Sequence, residues 1–129
     1  MESDDYLRKA HESLDGAERE FATRAYNNAT NRSYYAAFQA AVAALLAADI
    51  AIKTERGGTL SHSGVRSAFA GVLIQRRGLY DRQLRSILQD LFDERIKADY
   101  WPEAVTERRA RHIVMRAGDL VNAITLRLQ

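Results

Sequence analysis

The sequence contains no cysteine and only one proline among its 129 residues. Without cysteine, disulfides and cysteine-based zinc sites are excluded, and a reducing cytoplasm is the expected setting. A single proline and seven glycines leave long helices few interruptions. The acidic N-terminal segment MESDD, residues 1–5, is followed by no apolar segment of signal-peptide type. A large excess of one charge is also lacking: the formal net charge is +2, which neither requires nor excludes a nucleic-acid partner.

Hydrophobic residues make up 47% of the chain and charged residues 28%, a balance typical of globular proteins. The length predicts one domain spanning residues 1–129. Apolar residues recur at helical spacing in five segments, and no segment shows the alternation of a strand. We therefore predict an all-α fold, an antiparallel up-and-down helical bundle of four long helices plus one short helix.

Capping residues and apolar stripes define the predicted helices in the first half of the chain. The first helix runs from about Asp4 to Ala25 with Ser3 as its N-cap, and Asn27–Asn28 supply the next turn. The second helix contains the segment from Tyr34 to Ala48, which is apolar on nearly all sides and should lie in the middle of the bundle. Because this segment is shorter than a membrane span and has polar residues in and beside it, no membrane partner is expected.

The second half is predicted to begin with a loop from Lys53 to Ser63, broken by Gly57-Gly58, with Ser61 or Ser63 as the next N-cap. A short third helix follows and ends or bends at Gly78. The fourth helix runs from about Asp81 to Ala98, and Pro102 fits the first turn of the fifth helix. The apolar line of the fifth helix comprises Ile113, Ala117, Leu120, Ile124 and Leu128.

Two groups of polar residues interrupt the apolar faces. On the second helix, a polar stripe at helical spacing comprises Asn28, Arg32, Tyr35 and Gln39. On the fourth helix, Arg95 continues a stripe of leucines, and Asp99 follows one turn later. Because an unpaired buried guanidinium is very costly, Arg95 should pair with Asp99, with Tyr35 and Gln39 as further partners. The group is either a structural ion pair at the bundle end or part of a cleft or dimer seam that binds phosphate or RNA backbone.

Three segments, residues 31–41, 60–69 and 91–100, resemble in order and spacing the three signature blocks of HEPN-domain proteins. They contain NRSYYAAFQAA, LSHSGV leading to Phe69, and LFDERIKADY. The similarity extends from about Asp4 to Leu126. The resemblance implies a small helical bundle that commonly forms a homodimer. It also implies a minimal nucleotidyltransferase as partner, with the two proteins often acting as a toxin–antitoxin pair.

Many HEPN proteins are metal-independent ribonucleases that use an arginine, four to six further residues and then a histidine. Here Tyr100 stands where that histidine would follow Arg95. Arg56 and His62 have a permissible spacing but lie in the wrong block, with Gly57-Gly58 between them. A phenol has a pKa of about 10 and is a poor proton acceptor at neutral pH, whereas imidazole is a good one. The resemblance also makes Tyr100 a candidate acceptor of nucleotidyl groups from the partner.

The remaining sequence features have local interpretations beside functional ones. His62 matches the loop histidine of the family, but a lone histidine at a helix start is typically a cap or packing residue. The spacing of the three histidines indicates no metal site, and no cofactor is expected. Two basic clusters are interpreted as solvated helix faces or, alternatively, as patches for RNA or an acidic partner: Arg76-Arg77 and the run Arg108, Arg109 and Arg111. Arg108 and His112 are too close in sequence for the ribonuclease motif. Trp101 should pin the fourth helix to the fifth or form a dimer contact.

The sequence supports three functional hypotheses. In the first, the protein is a homodimeric binding module that acts with a nucleotidyltransferase and contacts nucleotide or RNA phosphate; its binding residues are Arg32, Tyr35, Gln39 and Arg95. In the second, it is a metal-independent endoribonuclease toxin with Arg95, Asp99 and Tyr100 as catalytic residues. In the third, it is a structural interaction protein. The tyrosine in place of histidine favours the first hypothesis over the second.

Overall fold

The computed structural model describes residues 2–52, 54–55, 58 and 60–129. The predicted loop residues Lys53 and Gly57, and Arg56 of the alternative motif, lie outside the described residues. Five α-helices are present in the described part: α1 (Glu2–Ala22), α2 (Tyr26–Ala47), α3 (His62–Ala68), α4 (Ile87–Tyr100) and α5 (Glu107–Leu128). A π-helix, Phe69–Arg76, continues α3, and a 3₁₀ turn, Arg82–Leu84, precedes α4.

The predicted all-α fold is confirmed. Within the described ranges, extended backbone pairs only at an isolated bridge between Thr54 and Leu60. Helix α2 packs against α1, α4 and α5, so it lies at the centre of the bundle as its apolar composition predicted. Its fully or nearly fully buried residues include many alanines, whose small side chains allow close approach of neighbouring helices. In the described chain, no helix is long and apolar enough to cross a membrane.

The flanking helices bury one face each. On α5, four of the five residues of the predicted apolar line are buried, namely Ile113, Ala117, Leu120 and Ile124, while Leu128 is half-buried. Helix α1 buries Ala10, Leu14 and Ala17 at helical spacing. Each helix therefore places an apolar stripe against α2 and leaves its charged face in water.

Several predicted helix boundaries in the first half are wrong because polar side chains make tertiary contacts instead of capping. Ser3 lies within α1, and its hydroxyl donates to the carbonyl oxygen of Ala43 at 3.0 Å. Helix α1 ends at Ala22, and α2 already begins at Tyr26. Asn27 and Asn28 are therefore helical, and the side-chain oxygen of Asn27 accepts from the Val105 amide at 2.9 Å. Asparagine is common in turns, and the prediction therefore placed a turn at two residues that are helical.

The boundaries of the later helices also differ from the prediction. Asp81 accepts from the Gln83 amide and caps the 3₁₀ turn, so α4 starts six residues later than predicted. Pro102 lies in the connection to α5, whose N-cap is Thr106, with its hydroxyl accepting from the Arg109 amide. The predicted cap Ser61 is confirmed, since its hydroxyl accepts from the Gly64 amide at 3.0 Å. Gly78 follows the π-helix with a φ of 60°, as expected of a helix end.

Leu120 tests the packing around α2. Its side chain is fully buried, so Leu120→Ala should lower the free energy of unfolding by about 2–5 kcal/mol through lost burial and a residual cavity. Leu126, on the same helix but 72% exposed, is the matched control, and Leu126→Ala should change it by less than about 0.5 kcal/mol. Urea unfolding of both variants measures the difference. Equal effects would contradict this packing of α5.

Candidate functional site

Arg95 lies where α4 packs against α2. Its guanidinium carbon is 5.3 Å from the ring centroid of Tyr34, 5.6 Å from that of Tyr35 and 5.4 Å from that of Phe92. The side chain is only 18% exposed, and Asp99, one helical turn later, is 3.5 Å away. The predicted pairing of Arg95 with Asp99 is therefore present. Aromatic faces and one carboxylate together offset the desolvation of the guanidinium.

Asn31, and not Arg32, connects α2 to this ion pair. The Asn31 side-chain nitrogen donates to both carboxylate oxygens of Asp99, at 3.3 and 3.4 Å. Arg32 is exposed and makes no ion pair or hydrogen bond within the described residues. A helix turns about 100° per residue, so neighbouring residues point in different directions. The structure thus brings Tyr35 to Arg95 and leaves Arg32 on the surface.

Two other predicted site residues lie elsewhere. The side-chain amide of Gln39 is 2.7 Å from the hydroxyl of Ser13, so it joins α2 to α1 rather than to Arg95. Tyr100 is 76% exposed at the end of α4. Five residues beyond Arg95, its side chain leaves the helix about 140° away around the axis. The described residues therefore provide no Arg95–Tyr100 pair.

His62, and not Tyr100, lies against the same two rings as Arg95, those of Tyr34 and Tyr35. Its Nδ1 atom is 2.7 Å from the Tyr34 hydroxyl oxygen. Its ring stacks on Phe38, with centroids 4.2 Å apart and planes inclined by 16°. Ser61 is the cap of α3, so the side chain of His62 is free to point into the aromatic residues of α2. Of the two local roles expected for His62, capping and packing, the structure shows packing, since Ser61 is the cap and the His62 ring stacks on Phe38.

Arg66 completes the group and was not singled out from the sequence. Its guanidinium carbon is 3.9 Å from the ring centroid of Phe92, and its Nε donates to the Gln89 side chain at 3.1 Å. Arg66 follows His62 by four residues, which places both on one face of α3. The four-residue spacing from a histidine that matches a signature block is the sequence feature by which Arg66 could have been identified. We call Tyr34, His62, Arg66, Phe92 and Arg95 the arginine–aromatic cluster.

The charges of the cluster set the protonation states of its neutral members. Burial lowers the pKa of His62, and the positive charges of Arg95 and Arg66 lower it further, against a smaller opposite effect of Glu55. Burial raises the pKa of the Tyr34 phenol, and the two guanidinium groups partly offset this. At neutral pH, His62 is therefore uncharged and Tyr34 is protonated.

Positive charge and unused donors remain in the cluster. Arg95 pairs with Asp99, but Arg66 has no carboxylate partner among the residues described. Nη1 of Arg66 and Nε of Arg95 are buried and have no hydrogen-bond partner in the described part of the chain. A buried donor left without an acceptor costs about 1–3 kcal/mol. An anion at this position would supply both the acceptors and the missing negative charge.

The other sequence candidates have mainly structural roles. His11 is 2.9 Å from the Thr125 hydroxyl, and no group of three or more possible metal ligands occurs among the described residues. In the basic run, Arg109 pairs with Glu94 and Arg111 with Glu107. These contacts favour the interpretation of that run as a solvated, ion-paired helix face.

Trp101 is more exposed than we expect for a side chain that holds two helices together. It is 56% exposed, and the ammonium of Lys97 lies 5.4 Å from its ring centroid. It lines a cleft with Val105 and Arg109, at the connection between α4 and α5. Trp101 thus lies beside residues that lead into α5 and also exposes an aromatic face. Its alternative role as a dimer contact stays a prediction.

The pKa of His62 gives a measurable pH dependence. Because its folded-state pKa lies below the unfolded value of about 6.5, the unfolded chain binds the proton more readily. The stability contribution is complete above about pH 6.5 and is lost as the pH falls through the folded pKa. His62→Gln should therefore weaken the decline in the free energy of unfolding between about pH 7 and pH 5. Urea unfolding at several pH values measures this, with exposed His112→Gln as control; parallel curves for wild type and His62→Gln would contradict it.

Comparison with known proteins agrees with this architecture. A family model described as the HEPN domain matches residues 3–127. The chain is 31% identical over 115 residues to a Methanocaldococcus jannaschii protein named "Putative toxin MJ0605", covering 89% of this chain and 80% of that relative. Since the family model spans nearly the whole sequence and the relative aligns over most of both chains, this protein belongs to the HEPN domain family.

Proposed function

We propose that the protein binds nucleotide or RNA phosphate at the arginine–aromatic cluster and acts in a toxin–antitoxin-like pair with a minimal nucleotidyltransferase. HEPN membership and similarity to a relative named as a toxin support a toxin-like function. The observation that carries the binding proposal is the convergence of Arg66 and Arg95 on the Phe92 ring, with one carboxylate for two guanidinium groups.

Phosphate matches this arrangement in charge and in hydrogen bonding. Guanidinium groups present several donors in a plane and bind phosphate oxygens bidentately. Tyr34 and Phe92 hold the two side chains in place, so little side-chain entropy remains to be lost on binding. We assign Tyr35 to the wall of the site and exposed Arg32, next to Asn31, to an outer phosphate contact.

The partner and the assembly are further parts of the proposal. The name of the relative supports an antitoxin partner, and the signature blocks resemble those of proteins that act with a minimal nucleotidyltransferase. The exposed aromatic side chains Tyr100 and Trp101, at the end of α4, supply a surface suited to a homodimer contact. The lack of cysteine agrees with a cytoplasmic setting.

A metal-independent endoribonuclease is the second candidate, and His62 is the observation that favours it. When Nδ1 of His62 donates to the Tyr34 oxygen, Nε2 carries a lone pair and accepts the proton of a ribose 2′-hydroxyl. The 2′-oxygen then attacks phosphorus, the bond from phosphorus to the 5′-oxygen breaks, and the protonated His62 returns its proton to the leaving 5′-oxygen, while Arg66 and Arg95 stabilise the added negative charge. In this version His62 takes the role predicted for Tyr100, and Asp99 orients Arg95.

Phosphate binding is tested with a labelled single-stranded RNA of eight nucleotides and the full-length protein. Arg66→Ala and Arg95→Ala should each weaken binding about 10- to 100-fold, because each removes charge-assisted hydrogen bonds. Arg8→Ala, an exposed arginine paired with Asp5 on α1, should leave the affinity unchanged. Equal affinities of all four proteins, by fluorescence anisotropy, would refute binding at the cluster.

Incubation of the same RNA in EDTA with the wild type, His62→Gln and Tyr100→Phe tests the second candidate. A ribonuclease of the described kind cleaves the RNA, loses activity in His62→Gln and keeps it in Tyr100→Phe. If the wild type binds the RNA and leaves it intact, the binding proposal stands and the ribonuclease candidate is rejected.

The partner proposal predicts that a gene beside this one encodes a minimal nucleotidyltransferase, and co-expression of the two proteins tests it. We expect the two proteins to co-purify through size-exclusion chromatography as a stable complex, with this chain dimeric by light scattering. The exposed Trp101→Ser variant separates the two associations, since it should weaken the homodimer while remaining folded. Absence of a complex at micromolar concentrations of both proteins would count against the pairing.

A further inference from the structure

A basic cleft lined by residues of α3 and of the start of α4 shares Arg66 with the arginine–aromatic cluster. Its volume is about 340 Å³, and its lining includes Ser63, Arg66, Ser67, Arg85 and Gln89. None of the described lining residues is acidic. Two arginines and two hydroxyl groups therefore face a space at the small end of the range of ligand pockets.

Arg66 belongs to both the cluster and this cleft. Its guanidinium lies over Phe92, which also contacts Arg95, and its Nε is held by Gln89. Gln89 in turn donates to the Asp93 carboxylate at 3.0 Å, which fixes the amide orientation. These contacts fix the Arg66 side chain where the cluster and the cleft meet, so its guanidinium group belongs to both.

Arg85 brings a charge to the far side of the cleft. Its guanidinium donates to the neutral Gln75 side chain, and it forms no ion pair among the described residues. Ser63 and Ser67 are exposed and four residues apart, so their hydroxyls lie on one face of α3. The cleft thus combines an uncompensated charge with neutral donors, a composition that suits a phosphate group.

We propose that this cleft is a second phosphate subsite, in which Arg85, Ser63 and Ser67 hold the phosphate next to the one bound at Arg66 and Arg95. The inference rests on the proposed function and narrows its ligand to a single-stranded RNA with at least two consecutive phosphates. A mononucleotide fills the cluster alone. Positive side chains along one groove track the backbone of a single strand without reading its sequence.

The test compares one phosphate with many, using fluorescently labelled AMP and a labelled single-stranded RNA of eight nucleotides. Arg85→Gln should weaken RNA binding about tenfold and leave AMP binding unchanged. It should also reduce the slope of log affinity against log salt by about 0.7, the value for one phosphate contact on a single strand. Arg82→Gln, in the 3₁₀ turn that directly precedes Arg85 and outside the cleft lining, is the matched control and should change neither affinity.

A second variant adds negative charge without removing an arginine. Ser67→Asp places a carboxylate at the cleft and should weaken RNA binding about tenfold. Both substituted positions are exposed, so folding is expected to persist, and thermal unfolding of each variant verifies it.

The outcomes separate this inference from the proposed function. The second subsite is refuted if Arg85→Gln and Arg82→Gln change RNA affinity equally, or if neither Arg85→Gln nor Ser67→Asp changes it. In either case, AMP binding that depends on Arg66 and Arg95 leaves the proposed function intact. If Arg66→Ala and Arg95→Ala bind AMP and RNA as well as the wild type does, the proposed function fails and the inference fails with it.

Discussion

The close packing of four helices around the alanine-rich α2 is the constraint on which the rest of the structure depends. Small side chains along most of α2 let its neighbours approach, while Tyr34 and Phe38 fill the wider space beside α3 and α4. The same two rings are the surface against which His62 stacks and hydrogen-bonds. Core and site therefore share residues, and the polar groups of the site are positioned by the apolar packing beneath them.

This arrangement explains how two arginines are held close to each other at the edge of a hydrophobic core. Phe92 contacts both guanidinium groups, and Asp99 neutralises one of them with the help of Asn31. Burial keeps His62 neutral, and the charges of Arg95 and Arg66 add to this, because both would repel a third cation. An imidazole without charge and two fixed cations form a chemically different site from the arginine–tyrosine pair that the sequence suggested.

Patterns within one helix were predicted well, whereas contacts between helices were not. The buried α2, the apolar line of α5 and the Arg95–Asp99 pair follow from spacing along a single helix. Arg32 was misplaced because a stripe drawn by spacing alone does not specify which side of α2 meets α4. His62 and Arg66 come from α3, far along the chain from Tyr34, so their meeting depends on tertiary packing that no local spacing encodes. Asn27 and Ser3 were misread for the same reason, since their partners lie in distant segments.

Helix α3 carries two members of the arginine–aromatic cluster, yet Val65 is the one residue that it buries fully in the described structure. Much of its attachment consists of the contacts of His62 with Tyr34 and Phe38 on α2 and of Arg66 with Phe92 on α4. Such a weakly buried element detaches at a lower free energy than the global unfolding of the bundle. Any ligand that engages Arg66 therefore also holds α3 in place, and its apparent affinity includes the free energy of docking this helix. Binding of such a ligand and docking of α3 against the bundle are therefore coupled, and α3 is the helix whose docking would depend on whether the ligand is bound.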